Sequence, residues 1–136
     1  MRGDSTLAML GLRADEMAGQ VAVVTGAGRG IGREAALAFA ALGATAVIAE
    51  IDEAAGAGTA ALVQAAGGRG FFLRTDVADE ASVGELAQRT LAECGRIDVL
   101  VNNAILCPTR PVLEMDVAKW DRTIAVNLRG VFLTCK

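Results

Sequence analysis

The sequence predicts an α/β fold built on a parallel sheet, and three observations support that. The first is the stretch 21–42, VAVVTGAGRGIGREAALAFAAL. A β-branched apolar run at 21–24, too short for a helix, meets Gly26, Gly28, Gly30 and Gly32, and then Ile31, Ala35, Ala38, Phe39 and Leu42 recur at helical spacing. The second is repetition: strand-like runs return at 44–49, 71–74 and 97–101, separated by helix-patterned stretches, which is the alternation of βαβ units. The third lies just beyond each run, where the glycines, Glu50, Asp76 and Asn102-Asn103 stand. Polar and small residues at the carboxyl ends of parallel strands are where such sheets take ligands.

The glycine turn has a definite chemistry. Backbone N–H groups at a helix start point into the preceding turn, and the helix dipole favours an anion there. Glycines let that anion approach the main chain without an intervening Cβ. A dinucleotide pyrophosphate is the anion this strand–turn–helix unit fits. The spacing is not G-x-G-x-x-G, because the third glycine would fall at Ile31. It is T-G-x-x-x-G-x-G, from Thr25-Gly26 through Gly30 to Gly32. In this form the motif resembles that of the short-chain dehydrogenase/reductase family, classical type, which implies a Rossmann-like, doubly wound parallel sheet binding NAD(P). Gly26, Arg29, Gly30, Ile31 and Gly32 are the candidate contacts to the cofactor from this loop.

Composition excludes several other classes. The chain has 136 residues, 53% hydrophobic and 21% charged, which is one globular domain's worth of sequence. A net charge of −3 without a basic cluster gives no footprint for nucleic acid. No apolar run has the length of a membrane span. Cys94, Cys107 and Cys135 are odd in number and lack metal-ligand spacing, so a reduced, cytoplasmic chain is the simplest expectation. Residues 1–18 mix leucines with charges and have no signal-like core, so they read as a flexible or loosely docked tail ahead of a domain over 19–136.

The later elements add site residues. Glu50 ends the second strand, eighteen positions beyond Gly32. A carboxylate there can accept hydrogen bonds from the adenosine ribose and repels a 2′-phosphate, so NAD(H) is favoured over NADP(H). Arg29 argues mildly the other way. The third strand leads to Asp76-Val77, where the resemblance places a carboxylate facing the adenine amino group; a helix cap is the alternative reading. A packing helix over 79–94 carries Val83, Leu86, Ala87, Thr90, Leu91 and Cys94 on one face and no assigned chemistry.

The fourth strand ends in Asn102-Asn103-Ala104-Ile105, where the family has Asn-Asn-Ala-Gly. The resemblance implies that the asparagines brace the central strand and that Asn103 and Ala104 pass beside the cofactor. Ile105 tolerates positive φ poorly and adds bulk, so either the loop shifts register or the nicotinamide end is altered. A last helix begins near 114–116, with Val117, Trp120, Ile124, Leu128, Val131 and Cys135 on one face, serving either as core or as an oligomer contact. Asn127 falls roughly 80° from the centre of that stripe, at its edge beside Trp120. It resembles the family's Asn that helps hold a water in the proton relay, against a solvent-facing Asn as the alternative.

The family's chemistry also needs a Ser and a Tyr-x-x-x-Lys pair, the Tyr acting as general acid/base. The sequence holds no tyrosine and no histidine, and its lysines are Lys119 and Lys136. The resemblance therefore covers the amino-terminal half of the family's domain. Two readings remain open. One is the cofactor half of an oxidoreductase for an alcohol or carbonyl substrate, inactive alone; the other is a non-catalytic nucleotide-binding or protein-interaction module. Four strands in order 3-2-1-4 leave the fourth as an open apolar edge, so homo-oligomerisation or aggregation is expected.

Overall fold

A computed structural model describes residue 9 and residues 11–136. Among the described residues, β1 (Val21–Thr25), β2 (Thr45–Glu50), β3 (Arg69–Arg74) and β4 (Val99–Val101) form one parallel sheet in the order β3-β2-β1-β4. That is the expected Rossmann-like order. The helices are α1 (Gly30–Ala41), α2 (Glu53–Ala65) and α3 (Glu80–Cys94). A short 3₁₀ turn, Val112–Glu114, precedes α4 (Val117–Ile124), a π-helical turn (Ala125–Arg129) and α5 (Gly130–Cys135). The last three run on without leaving helical backbone.

Strand alternation decides which helix covers which face. Val24, Ala46 and Ile48 pack with Ala36 and Ala40 of α1 and Ala60 and Val63 of α2. Val21, Val23, Val47, Ala49 and Leu73 point the other way, toward Leu86 of α3. Helices on both faces make the sheet doubly wound. Val23, Val24, Val47 and Ile48 are fully buried, and each contributes about 1.5–3 kcal/mol of transfer free energy.

Two expectations about packing change. In α1 the buried positions are Gly32, Ala36 and Ala40, while Ile31 is 82% exposed and Ala38 is also exposed. Small residues sit directly beneath the helix, and Ala35, Leu37 and Phe39 pack against the same core from its flanks, partly buried. The last helix differs more. Its buried positions are Val126, Gly130 and Leu133, and Val126 packs on Val77 and Ala78. The predicted stripe faces outward, with Trp120 57% and Leu128 66% exposed. Among the described residues it is not part of the core.

Strand ends shift because of partners distant in sequence. β3 starts at Arg69 because Gly70 pairs with Ala46 of β2, a tertiary partner that propensity does not encode. β4 starts only at Val99, since the Asp98 carboxylate takes the Val21 N–H at 2.8 Å. Carboxylates also cap three helices: Asp52 accepts from Ala55 N, Asp79 from Ser82 N and Asp116 from Lys119 N. α1 has no such side-chain cap. Before β1, residues 17–20 dock through Met17 N to Leu42 O at 2.8 Å and Thr45 N to Gln20 O at 2.9 Å. Of the expected tail over 1–18, residues 1–8 and 10 lie outside the described residues.

Candidate cofactor site

The loops after all four strands meet at one end of the sheet. Thr25, 1% exposed, is the knot between the first and last of them. Its hydroxyl accepts from Asn103 N and Ala104 N, both at 3.1 Å, and donates to Val101 O at 3.3 Å. The Asn103 amide donates back to Thr25 O and Gly26 O, each at 3.0 Å. Gly26 has φ +64, and a Cβ there would stand 2.7 Å from the Ala104 Cα. A Cβ on Gly32 would run into the Asn103 amide and Gly26 O. These two glycines are required by close approach of backbone to backbone.

The outer side of the turn is open. Gly30 has φ +57, and a Cβ there would meet nothing within 4 Å. Arg29 and Ile31 flank it, both exposed, so Ile31 sits at the loop's mouth. Because α1 has no side-chain cap, its first N–H groups face this mouth with no internal acceptor at the cap position. The donor set suits an anion.

Glu50 lies beneath the turn. Its Oε2 accepts from Gly28 N at 2.9 Å, and its Oε1 accepts from Ile51 N at 2.8 Å and Asp52 N at 3.1 Å. Sequence reasoning missed a second brace. Arg33 of α1 donates to Gly28 O and to the fully buried Thr59 hydroxyl of α2 at 3.1 Å, fixing the loop from behind. Nothing in periodicity distinguishes Arg33 from a solvated arginine.

Asp76 comes after β3. Its Oδ1 caps Ala78 N at 3.0 Å, and its Oδ2 receives Arg122 of α4 at 2.8 Å. Burial raises the Asp76 carboxyl, but Arg122, the Ala78 N–H and the charge of Arg74 together hold it below the usual carboxylate range. Val77, 7% exposed, packs under the last helix. Arg129 donates to Ala78 O at 3.0 Å, so two arginines clasp the 76–78 turn. The two arginines stand seven residues apart on one helical run with Val126 between them, but nothing in that spacing names the turn they hold.

At the far end, Asn127 donates to Leu106 O and accepts from Leu106 N, both at 2.9 Å. Both ends of its amide are engaged with backbone, and the residue is exposed. Asn102 is held by Thr134 Oγ1 at 2.6 Å. Ile105 keeps negative φ, as does every described non-glycine residue, and is 72% exposed. The loop accommodates it without positive φ, so the strain expected at a left-handed position does not arise.

These loops enclose a cleft of about 270 Å³ whose walls include Gly26, Glu50, Asp76, Val77, Ala104 and Arg122. Asn103 lies behind Gly26, and Asn127 directly follows the cleft-lining Val126. Among the described residues no helix is long and apolar enough to cross a membrane.

A family model described as short chain dehydrogenase matches residues 20–136. The chain belongs to the short-chain dehydrogenase family. A short chain dehydrogenase/reductase of Aspergillus oryzae is 48% identical over 120 residues, which cover 87% of this chain and 46% of that protein. The cis-4-hydroxycyclohexanecarboxylate dehydrogenase of Sinomonas cyclohexanicum is 47% identical over 123 residues, covering 90% and 49%. Among solved structures, a metagenomic short-chain oxidoreductase in complex with NADP superimposes with a TM-score of 0.83 at 39% identity, covering 88% of this chain and 54% of that one. The chain spans about half the length of these relatives.

Proposed function

We propose that these residues bind a nicotinamide dinucleotide, NAD(H) in preference to NADP(H), as the cofactor-holding half of a short-chain oxidoreductase. The observation that carries this is the open glycine turn over an uncapped α1, with Glu50 anchored at its base. The residues fit the group. Gly30 leaves room for a diphosphate, α1 offers free donors, and the cleft between Glu50 and Asp76 has space for the adenosine. The NADP complex of a similar protein supports a nicotinamide cofactor in general. Glu50 supports NAD in this chain, because its charge opposes a 2′-phosphate and its oxygens suit ribose hydroxyls.

Each wall of the cleft has its part. The turn at Arg29–Gly32 neutralises the diphosphate, Glu50 orients the ribose, Asp76 and Val77 hold the base, and Asn103 with Ala104 limits how deeply the cofactor sits. Asn127 fixes the Leu106 segment at the reacting end, which keeps it positioned for a proton relay. The bound cofactor supplies hydride exchange with an alcohol or carbonyl carbon. The general acid/base is not among these residues, since the chain has no tyrosine, and a Tyr-x-x-x-Lys pair encoded beyond Lys136 in the parent gene is the expected source.

Fluorescence titration tests the reading. Saturable NADH binding, about tenfold tighter than NADPH, is expected from loss of one unfavourable charge contact. Absence of saturable binding by either nucleotide would overturn it. A second reading, a module that works by association, is favoured by the exposed stripe of Trp120 and Leu128 and by the side of β4 on which no described strand pairs. Binding of partners without nucleotide binding would leave that reading alone standing.

A further inference from the structure

Arg122 stands out among the groups lining the cleft. It comes from α4, not from a strand end, and no expected role in the chemistry accounts for it. Its guanidinium reaches Asp76 Oδ2 at 2.8 Å, with side chains 44% and 25% exposed. Asp76 Oδ1 is held separately by Ala78 N, so the carboxylate is fixed at both oxygens and its plane is set. Ile51 and Val77 line the same cleft as apolar walls. A carboxylate with free lone pairs, fixed between apolar walls, suits a planar base that offers an exocyclic N–H donor.

We infer that Arg122 is a positioning residue for base recognition: it orients Asp76 so that its carboxylate accepts from an amino group on the cofactor's base. This rests on the nucleotide reading above. Arg122 acts through Asp76, so its effect appears only for a base that bears the amino group. The orientation is also anchored from the helix side. Arg129, two turns further on, ties Ala78 O to the same helix, and Val126 packs on Val77 between the two arginines. The base-binding turn and the helix carrying Asn127 therefore form one unit.

The paired probes are NADH and its deamino analogue, which bears hypoxanthine and has no exocyclic amine. In the full 136-residue chain, Arg122→Gln and Arg122→Met are expected to weaken NADH binding about fivefold and the deamino analogue less than twofold, the scale of a coupling near 1 kcal/mol. Asp76→Asn is expected to show the same selective loss, with no further loss in the double variant. Acidity gives a second readout. The charged groups around Asp76 are Arg74 on β3, Asp79 before α3, Glu50 across the cleft, and Arg122 and Arg129 on the last helix. Losing Arg122 removes a group that keeps Asp76 ionised, so the acid limb of NADH binding moves to higher pH.

Arg122 is half-exposed, and melting curves of both variants report whether either loses its fold. Equal weakening of both probes, or no change in either, would overturn the role of Arg122 while Asp76→Asn still discriminated them. If Asp76→Asn fails to discriminate the probes although wild type binds NADH, the base assignment itself falls. No NADH binding by wild type refutes the nucleotide reading and this inference with it.

Discussion

Glu50 commits both carboxylate oxygens to backbone N–H groups, one of them inside the glycine turn. A neutral isostere tests what its charge does. Glu50→Gln keeps the reach and removes the repulsion of a 2′-phosphate, so the NADPH-to-NADH affinity ratio should rise about tenfold in paired fluorescence titrations. Gly32 is a steric counterpart. A methyl group there collides with the Asn103 amide and Gly26 O, backbone and a doubly bonded side chain that have no room to give. Gly32→Ala should cost about 1–3 kcal/mol and lower the melting temperature, with NADH affinity falling alongside. The glycines, Glu50 and Asp76 were legible because each stands at a strand end with a type suited to its chemistry. Arg33 and Arg122 were not, because an arginine's partner is chosen by a fold that brings distant segments together.

At the level of elements, capping separates the helices by role. α2, α3 and α4 each start with an aspartate bonded to the N–H three residues on, whereas α1 starts with an extended Arg29 and no side-chain cap. Asp79→Ala should lower stability by about 1 kcal/mol, read as a melting temperature about 3 °C lower. The last helix shows where pattern reading fails. Its most conspicuous apolar stripe faces outward, while Val126, Gly130 and Leu133 make the contacts. Periodicity finds an amphipathic face, but only the neighbour decides whether that face is covered within the chain.

Across the whole molecule, β4 has β1 on one side and no described strand on the other. Together with the outward stripe, this predicts self-association. Trp120, the single tryptophan and 57% exposed, should report it by a concentration-dependent blue shift of emission, with sedimentation showing species larger than one chain. A monodisperse monomer with a cooperative melt would sink this. Acid sensitivity is also a property of the assembled sheet. Arg96 and then the Val21 N–H hold the Asp98 carboxyl below its ordinary range. A carboxylate depressed by folding adds stability that is present above its unfolded value and is lost as pH falls through its folded one, below about pH 4. Asp98→Asn should flatten the acid limb of the stability curve, and an unchanged acid midpoint would count against that pairing.

By itself the sequence determined the order of elements, the parallel sheet and the residue types at the strand ends, because apolar period, glycine spacing and caps are local properties of the chain. Tertiary structure alone decided which side of the last helix packs, that Arg122 and Arg129 clasp the 76–78 turn, and that Asn127 binds Leu106. Those outcomes depend on segments from 21 to 51 residues apart meeting in space, and no local pattern carries the geometry of that meeting.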